Sequence, residues 1–327
     1  MRIAVIGTGA IGTSWATLFL AHGHHVIAAD PAPGAEERLR AALEAQDRLS
    51  FTTDLAEAAS EADFVQENGP ERPSAKQEIF AVLDAAARPE AVLASSSSGI
   101  PPSRIQQYCP YHPERVLVGH PFNPPHLVPL VEVVPGGETS ERAVKYALDL
   151  YTGLGRRPIR VRRELPGHIV NRLQAALWRE AYSLVDSGAA TVAEIDAAIA
   201  NGPGLRWALL GPFLTQHLSG GPGGIAHVLE HLGPPMEEWW DDLGDPRLSP
   251  ALADTIVEGV REELAGRDPA AVLAARDDLL TRLIAAKAGT PGLAETPGLA
   301  SAPGPAATPD LAAARDLAVA PDFQEPV

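Results

Sequence analysis

The first thirty residues restrict the fold of this chain more than any other stretch. Residues 2–6, Arg-Ile-Ala-Val-Ile, form a short apolar run that ends in glycine, residues 10–22 have helical spacing, and residues 25–29 are a second apolar run. That order is strand, helix, strand, with a crossover length suited to a parallel pair. Gly7, Gly9 and Gly12 form GxGxxG at the mouth of the helix, enclosing Ala10 and Ile11, and Asp30 closes the second strand 18 residues after Gly12. A GxGxxG alone also arises as a glycine-rich turn. Between a strand and a helix, and followed by an acid, it points to a dinucleotide site. There glycines permit the tight turn, the close approach of main chain to a pyrophosphate and close helix packing, while the helix amino terminus offers free N–H groups. Asp30 is suited to accept hydrogen bonds from an adenosine ribose and repels a 2′-phosphate, so NAD rather than NADP is predicted.

Similar alternation continues. Residues 62–66 and 91–94 read as strands around a helix at 71–86, and 115–118 and 128–134 add further strands, which predicts a doubly wound α/β domain of the Rossmann type over residues 1–165. Beyond Pro166 only helical spacing remains, at 167–186, 191–200, 208–218, 225–232, 250–264 and 269–286, so residues 166–288 are predicted to form an all-α domain. Thr191 with Glu194 reads as a capping box. From Gly289 to Val327 the composition turns to Ala, Pro and Gly, and Thr-Pro-Gly-Leu-Ala occurs at both 290–294 and 296–300. A segment with so little large apolar surface is expected to be a disordered tail.

The 327 residues carry 26 Lys and Arg against 42 Asp and Glu, a net charge of −16. Such a field repels phosphate backbones and anionic lipid, which argues against nucleic-acid and membrane-surface partners. No run approaches the length of a membrane span, and the first strand leaves no room for a signal peptide. One cysteine, Cys109, excludes an internal disulfide. A cytoplasmic protein is expected. His22, His24 and His25 have no neighbouring ligand set and read as a solvated turn, so no metal is predicted.

A second informative stretch delivers His120 to the proline-rich turn Pro121-Phe122-Asn123-Pro124-Pro125, and a returning strand carries Glu132 twelve residues later. Oxidation of an alcohol by NAD needs a base for the hydroxyl proton, and a histidine whose tautomer is held by a carboxylate meets that need. By spacing alone the two residues read equally as a histidine filling a turn and a glutamate on an edge strand.

These residues, with Ser95-Ser96-Ser97-Ser98, Leu130-Val131-Glu132-Val133 and Pro166-Gly167-His168-Ile169-Val170-Asn171-Arg172, resemble the NAD-dependent 3-hydroxyacyl-CoA dehydrogenase family as far as about residue 285. Asp30-Pro31-Ala32-Pro33-Gly34, His112-Pro113-Glu114-Arg115, Gly204-Leu205-Arg206-Trp207 and Phe213-Leu214-Thr215 are most similar to its carnitine branch, with the gulonate and lambda-crystallin branch next. The resemblance implies His120 as general base, Glu132 as its partner, Ser98 on the substrate oxygen, Asn171 holding substrate and nicotinamide, Glu71 and Lys76 lining the cofactor, and a homodimer through the helical domain. Ser98 and Asn171 also read as a strand-end loop and a helix cap. Thioester-acting relatives carry a long helical excursion after the second strand that this chain lacks, and no Lys/Arg cluster awaits an adenosine phosphate. The lysine of 3-hydroxyisobutyrate-type enzymes is replaced by Gly167. The implied reaction is oxidation of a small 3-hydroxy acid, with carnitine foremost. Other 3-hydroxy acids, gulonate, acyl thioesters and an idle NAD-binding structural protein are the alternatives. For a quaternary ammonium, Phe122, Trp178 and Trp207 are the candidate aromatic faces, and Arg206 is the candidate carboxylate partner.

Overall fold

The computed structural model describes residues 1–43 and 47–293. The first part of the chain runs β1 (Arg2–Ile6), α1 (Ala10–Ala21), β2 (His25–Ala29), α2 (Ala35–Ala42), β3 (Leu49–Thr52), α3 (Leu55–Glu61), β4 (Phe64–Glu67), α4 (Pro73–Ala86), β5 (Val92–Ser95), α5 (Pro102–Gln106), β6 (Val116–Pro121), β7 (Leu130–Pro135), α6 (Glu141–Gly153) and β8 (Arg157–Arg160). The eight strands form one sheet in the order β3-β2-β1-β4-β5-β6-β7-β8. All neighbours are parallel except β6 and β7. The order reverses between β1 and β4, the switch point outside whose carboxyl ends a doubly wound sheet binds ligands.

Side chains alternate across a strand, so a strand covered on both faces must be apolar throughout. In β1, Ile3 and Val5 join the core with Trp15, Phe19, Phe64 and Tyr151, whereas Ala4 and Ile6 join the opposite core with Phe80 and Leu83. Strands β3 and β8, not singled out in the sequence, are the two edges. Both are short and only partly buried, and β8 carries Pro158, which is tolerated at an edge. Helices α2, α5 and α6 are further additions to the sequence reading.

The chain divides into two compact units, and the first ends at Arg172. The second begins at Leu173. Its helices are the body of α7 (Val170–Asp186), then α8 (Val192–Asn201), α9 (Pro203–Leu209), α10 (Pro212–Ser219), α11 (Gly224–Asp242), α12 (Pro250–Leu264) and α13 (Pro269–Gly289). The capping box is present: Thr191 accepts from the Glu194 N–H while the Glu194 side chain accepts from the Thr191 N–H. Helix α11 continues past the expected stop, with Pro234 and Pro235 inside it. Gly289, expected to open the tail, still belongs to α13, and the tail from residue 294 lies outside the described residues. No helix among the described residues is long and apolar enough to cross a membrane, and none of their His, Cys, Asp and Glu side chains group as a metal site.

Candidate active site

The glycine loop fits a dinucleotide on its own geometry. Gly7 has φ +81°, and a Cβ on Gly12 would lie 1.8 Å from the Gly7 carbonyl oxygen, so neither position accepts a side chain. A Cβ on Gly9, by contrast, would meet nothing within 4 Å: packing does not demand that glycine, and a phosphate approaching the main chain does. Helix α1 has Gly9 as its N-cap, with no side-chain cap and no acid in its first turn, which leaves its N–H groups to an anion. Asp30 takes Thr8 N–H at 2.8 Å and Thr8 Oγ at 3.0 Å on Oδ2, and Ala32 N–H at 2.9 Å on Oδ1. A carboxylate has about four acceptor sites, so one remains for a ribose hydroxyl. The residues present fit NAD, and Gly7, Gly9, Ala10, Ile11, Gly12 and Asp30 could hold its adenosine and pyrophosphate end.

His120 and Glu132 are direct cross-strand partners in the antiparallel β6–β7 register, which puts both side chains on one face. His120 Nδ1 lies 2.9 Å from Glu132 Oε2, and both residues are buried. The carboxylate accepts, so Nδ1 carries the proton and Nε2 keeps the lone pair. Glu132 Oε1 in turn accepts the Ile169 and Val170 N–H groups at 2.9 and 3.2 Å, the free donors where α7 begins. Burial pulls the Glu132 carboxyl up, but the bond from His120 and those two amides outweigh it and hold the group below the ordinary carboxylate range.

The serine run leaves β5 as a loop gripped from several sides. Glu71 Oε1 accepts Ser97 Oγ at 2.7 Å, Ser98 N–H at 3.0 Å and Gly99 N–H at 3.1 Å. Asn171 Nδ2 donates to the Ser98 carbonyl at 2.8 Å, so Ser98, Asn171, His120 and Glu132 gather on the carboxyl edge of the sheet. The Ser98 hydroxyl makes no hydrogen bond among the described residues. Lys76, expected to line the cofactor, is 2% exposed. Its ammonium binds both Glu67 oxygens at 2.9 and 3.0 Å and the Gly69 carbonyl at 2.9 Å. An isolated buried ammonium is costly, so Lys76 and Glu67 neutralise each other beneath the loop. Glu71 likewise spends one oxygen on that loop.

Phe122 packs edge-on against His120 at 4.9 Å. Trp178 on α7 and Arg206 and Trp207 on α9 belong to the second unit; the tryptophans are 49% and 44% exposed and not core. The sequence reading missed Glu67, which also accepts Ser95 Oγ at 2.7 Å, Arg156, whose guanidinium donates to the Pro125 and His126 carbonyls, and His168. The Pro-Gly-His motif marked His168, yet its partners are distant in sequence.

Comparison with known proteins supplies the family. The family described as 3-hydroxyacyl-CoA dehydrogenase, NAD binding domain, matches residues 2–165, and the corresponding C-terminal domain matches residues 167–254. An L-carnitine dehydrogenase of Streptomyces griseus is 47% identical over 309 residues, covering 90% of this chain and 92% of that protein. A 3-hydroxyacyl-CoA dehydrogenase of Gibberella moniliformis is 45% identical over 87% of this chain and 94% of its own. Among solved structures, the NAD-dependent 5-formyl-3-hydroxy-2-methylpyridine 4-carboxylic acid 5-dehydrogenase superposes with a TM-score of 0.72 at 29% identity, covering 88% of this chain and 97% of that one. The chain is therefore an NAD-dependent oxidoreductase. It belongs to the 3-hydroxyacyl-CoA dehydrogenase family.

Proposed function

We propose that this protein oxidises L-carnitine to 3-dehydrocarnitine, with the buried His120–Glu132 pair as the observation that carries the reading. His120 Nε2, left with a lone pair by the Nδ1–H bond to Glu132, takes the hydroxyl proton. Glu132 stabilises the imidazolium as it forms. NAD held at the glycine loop supplies the hydride acceptor. Ser98 Oγ and the second N–H of the Asn171 amide are neutral donors for the substrate oxygen as negative charge builds on it.

Carnitine's ammonium is two bonds from the carbinol carbon, so whatever holds it must lie close to His120. Phe122, 4.9 Å from that ring, meets the requirement, and cation–π attraction operates within about 6 Å. The net charge of −16 draws in a zwitterion more readily than a polyanionic thioester. Relatives 43–49% identical are L-carnitine dehydrogenases, which supports the same substrate. We assign the protein to the cytoplasm and to a homodimer closed by the helical unit, where α7 to α10 contain no buried residue.

NADH formation with L-carnitine, gulonate, simple 3-hydroxy acids and a 3-hydroxyacyl-CoA tests the substrate. L-Carnitine is expected to give the highest kcat/KM, and turnover confined to the thioester would overturn the reading. The thioester is the second reading, favoured by the Gibberella relative's name.

A further inference from the structure

His168 belongs to the motif that precedes α7, yet the reaction above gives it no task. It is fully buried and is the only non-glycine residue with positive φ among the described residues, at +51°. Side chains rarely adopt that conformation. Nε2 lies 3.0 Å from the Ser97 carbonyl, Nδ1 has no hydrogen-bond partner, and the ring centroid is 5.4 Å from that of His120. A buried, unpaired nitrogen is unfavourable, and an apolar ring would fill the same space without it. The bond to Ser97 is what the imidazole adds. A carbonyl only accepts, so Nε2 carries the hydrogen.

We propose that His168 is a positioning residue: as the neutral Nε2–H tautomer it pins the Ser97 carbonyl, and with it the loop presenting Ser98, while leaving Glu132 as counter-ion to His120 alone. The groups that act on its charge are His120 on β6, Glu132 on β7 and Glu71 ahead of α4. Burial favours the neutral ring most, and His120 adds to that; the Ser97 bond and the two carboxylates oppose it without prevailing. Glu132 Oε2 takes His120 and Oε1 takes the Ile169 and Val170 amides, and His168 Nδ1 has no hydrogen-bond partner, so a second proton on that ring would stand without an acceptor. Protonated His168 would face imidazolium His120 across 5.4 Å and carry an unpaired N–H.

The test has an arm that needs no substrate. Nitrogen-edited imidazole spectra of the full chain are recorded from about pH 5 to 8 for wild type and H168Q, and the resonance missing from H168Q is His168. It should show the Nε2–H tautomer and stay neutral below the pH at which an ordinary histidine protonates. A ring charged at neutral pH, or one protonated on Nδ1, overturns the proposal.

The second arm rests on the carnitine reading and measures NADH formation from L-carnitine by H168Q and H168F across pH. Glutamine keeps an amide N–H within reach of Ser97 and cannot titrate. H168Q should hold kcat within about three-fold, and H168F should lose about ten-fold with the KM for NAD unchanged. H168F as active as wild type, or H168Q no better than H168F, would each overturn the proposal. A wild type inactive on carnitine overturns the substrate reading and leaves the spectroscopic arm to decide on His168.

Discussion

The two units of this protein dispose of their apolar residues in opposite ways. In the first, both faces of the sheet are covered, and two cores absorb nearly every large aliphatic side chain of the strands. In the second, Val228 and Leu252 are the buried large hydrophobics among the described residues. Leu205, Trp207, Phe213, Leu214 and Leu218 on α9 and α10 are exposed, Phe213 by 75%. Trp239 and Trp240 on α11 are exposed by 61% and 62%. Apolar patches of this kind mark association surfaces. The Rossmann unit completes its core and brings together the proposed base, its carboxylate and the serine loop by itself. The helical unit folds with its apolar side chains turned outward, and a second copy of the chain is the cover we propose.

That contrast breaks first at Glu132. Removing one partner of a buried hydrogen-bonded pair typically costs about 3–5 kcal/mol, so Glu132→Ala should lower the thermal midpoint and reduce kcat/KM by two orders of magnitude or more. A variant as stable and active as the wild type would show that the pair is ornamental. The same group sets a pH window. The folded Glu132 carboxyl is held below its ordinary value of 4.5, so its contribution to stability is complete above that value and is lost as pH falls through the lower folded value. Unfolding measured against pH should show this acid limb in the wild type and a flatter one in Glu132→Gln.

In the helical unit, the double substitution Phe213→Glu and Leu214→Glu should halve the mass measured by sedimentation while NAD binding by the first unit persists. An unchanged mass would place the dimer contact elsewhere. Asp30→Ala is a smaller change: discrimination against NADP should relax by about ten- to a hundred-fold, equivalent to the loss of one or two charge-assisted contacts. Smallest is Thr191→Ala, which removes the capping box and should cost about 1 kcal/mol, read as a modest shift in the unfolding midpoint with no effect on NAD binding.

The legible parts of the sequence were those whose partners are near in the chain or repeat with a clear period. The β1–α1–β2 unit, its glycines and Asp30 are local, and the Thr191 capping box spans four residues. His120 and Glu132 stand twelve apart, but their meeting depends on the antiparallel register of β6 and β7, which spacing leaves open. Both strands that escaped notice, β3 and β8, are sheet edges, where one side needs no partner and polar residues blur the alternation. The matched position of Lys76 implies a cofactor residue and says nothing of its ion pair. Only the fold shows Glu67 at the end of β4, 2.9 Å from its ammonium. His168 escaped for the same reason, since its partner Ser97 lies 71 residues away.

The central claim is that His120, held by Glu132, takes the substrate proton. The direct measurement is the rate of NADH formation from L-carnitine by His120→Ala beside the wild type, with NAD affinity titrated in both. Loss of a general base typically costs about 10²–10⁴-fold, and a fall of that size in kcat with NAD affinity unchanged is the predicted result. Undiminished turnover in the variant, with NAD still bound, would contradict the account.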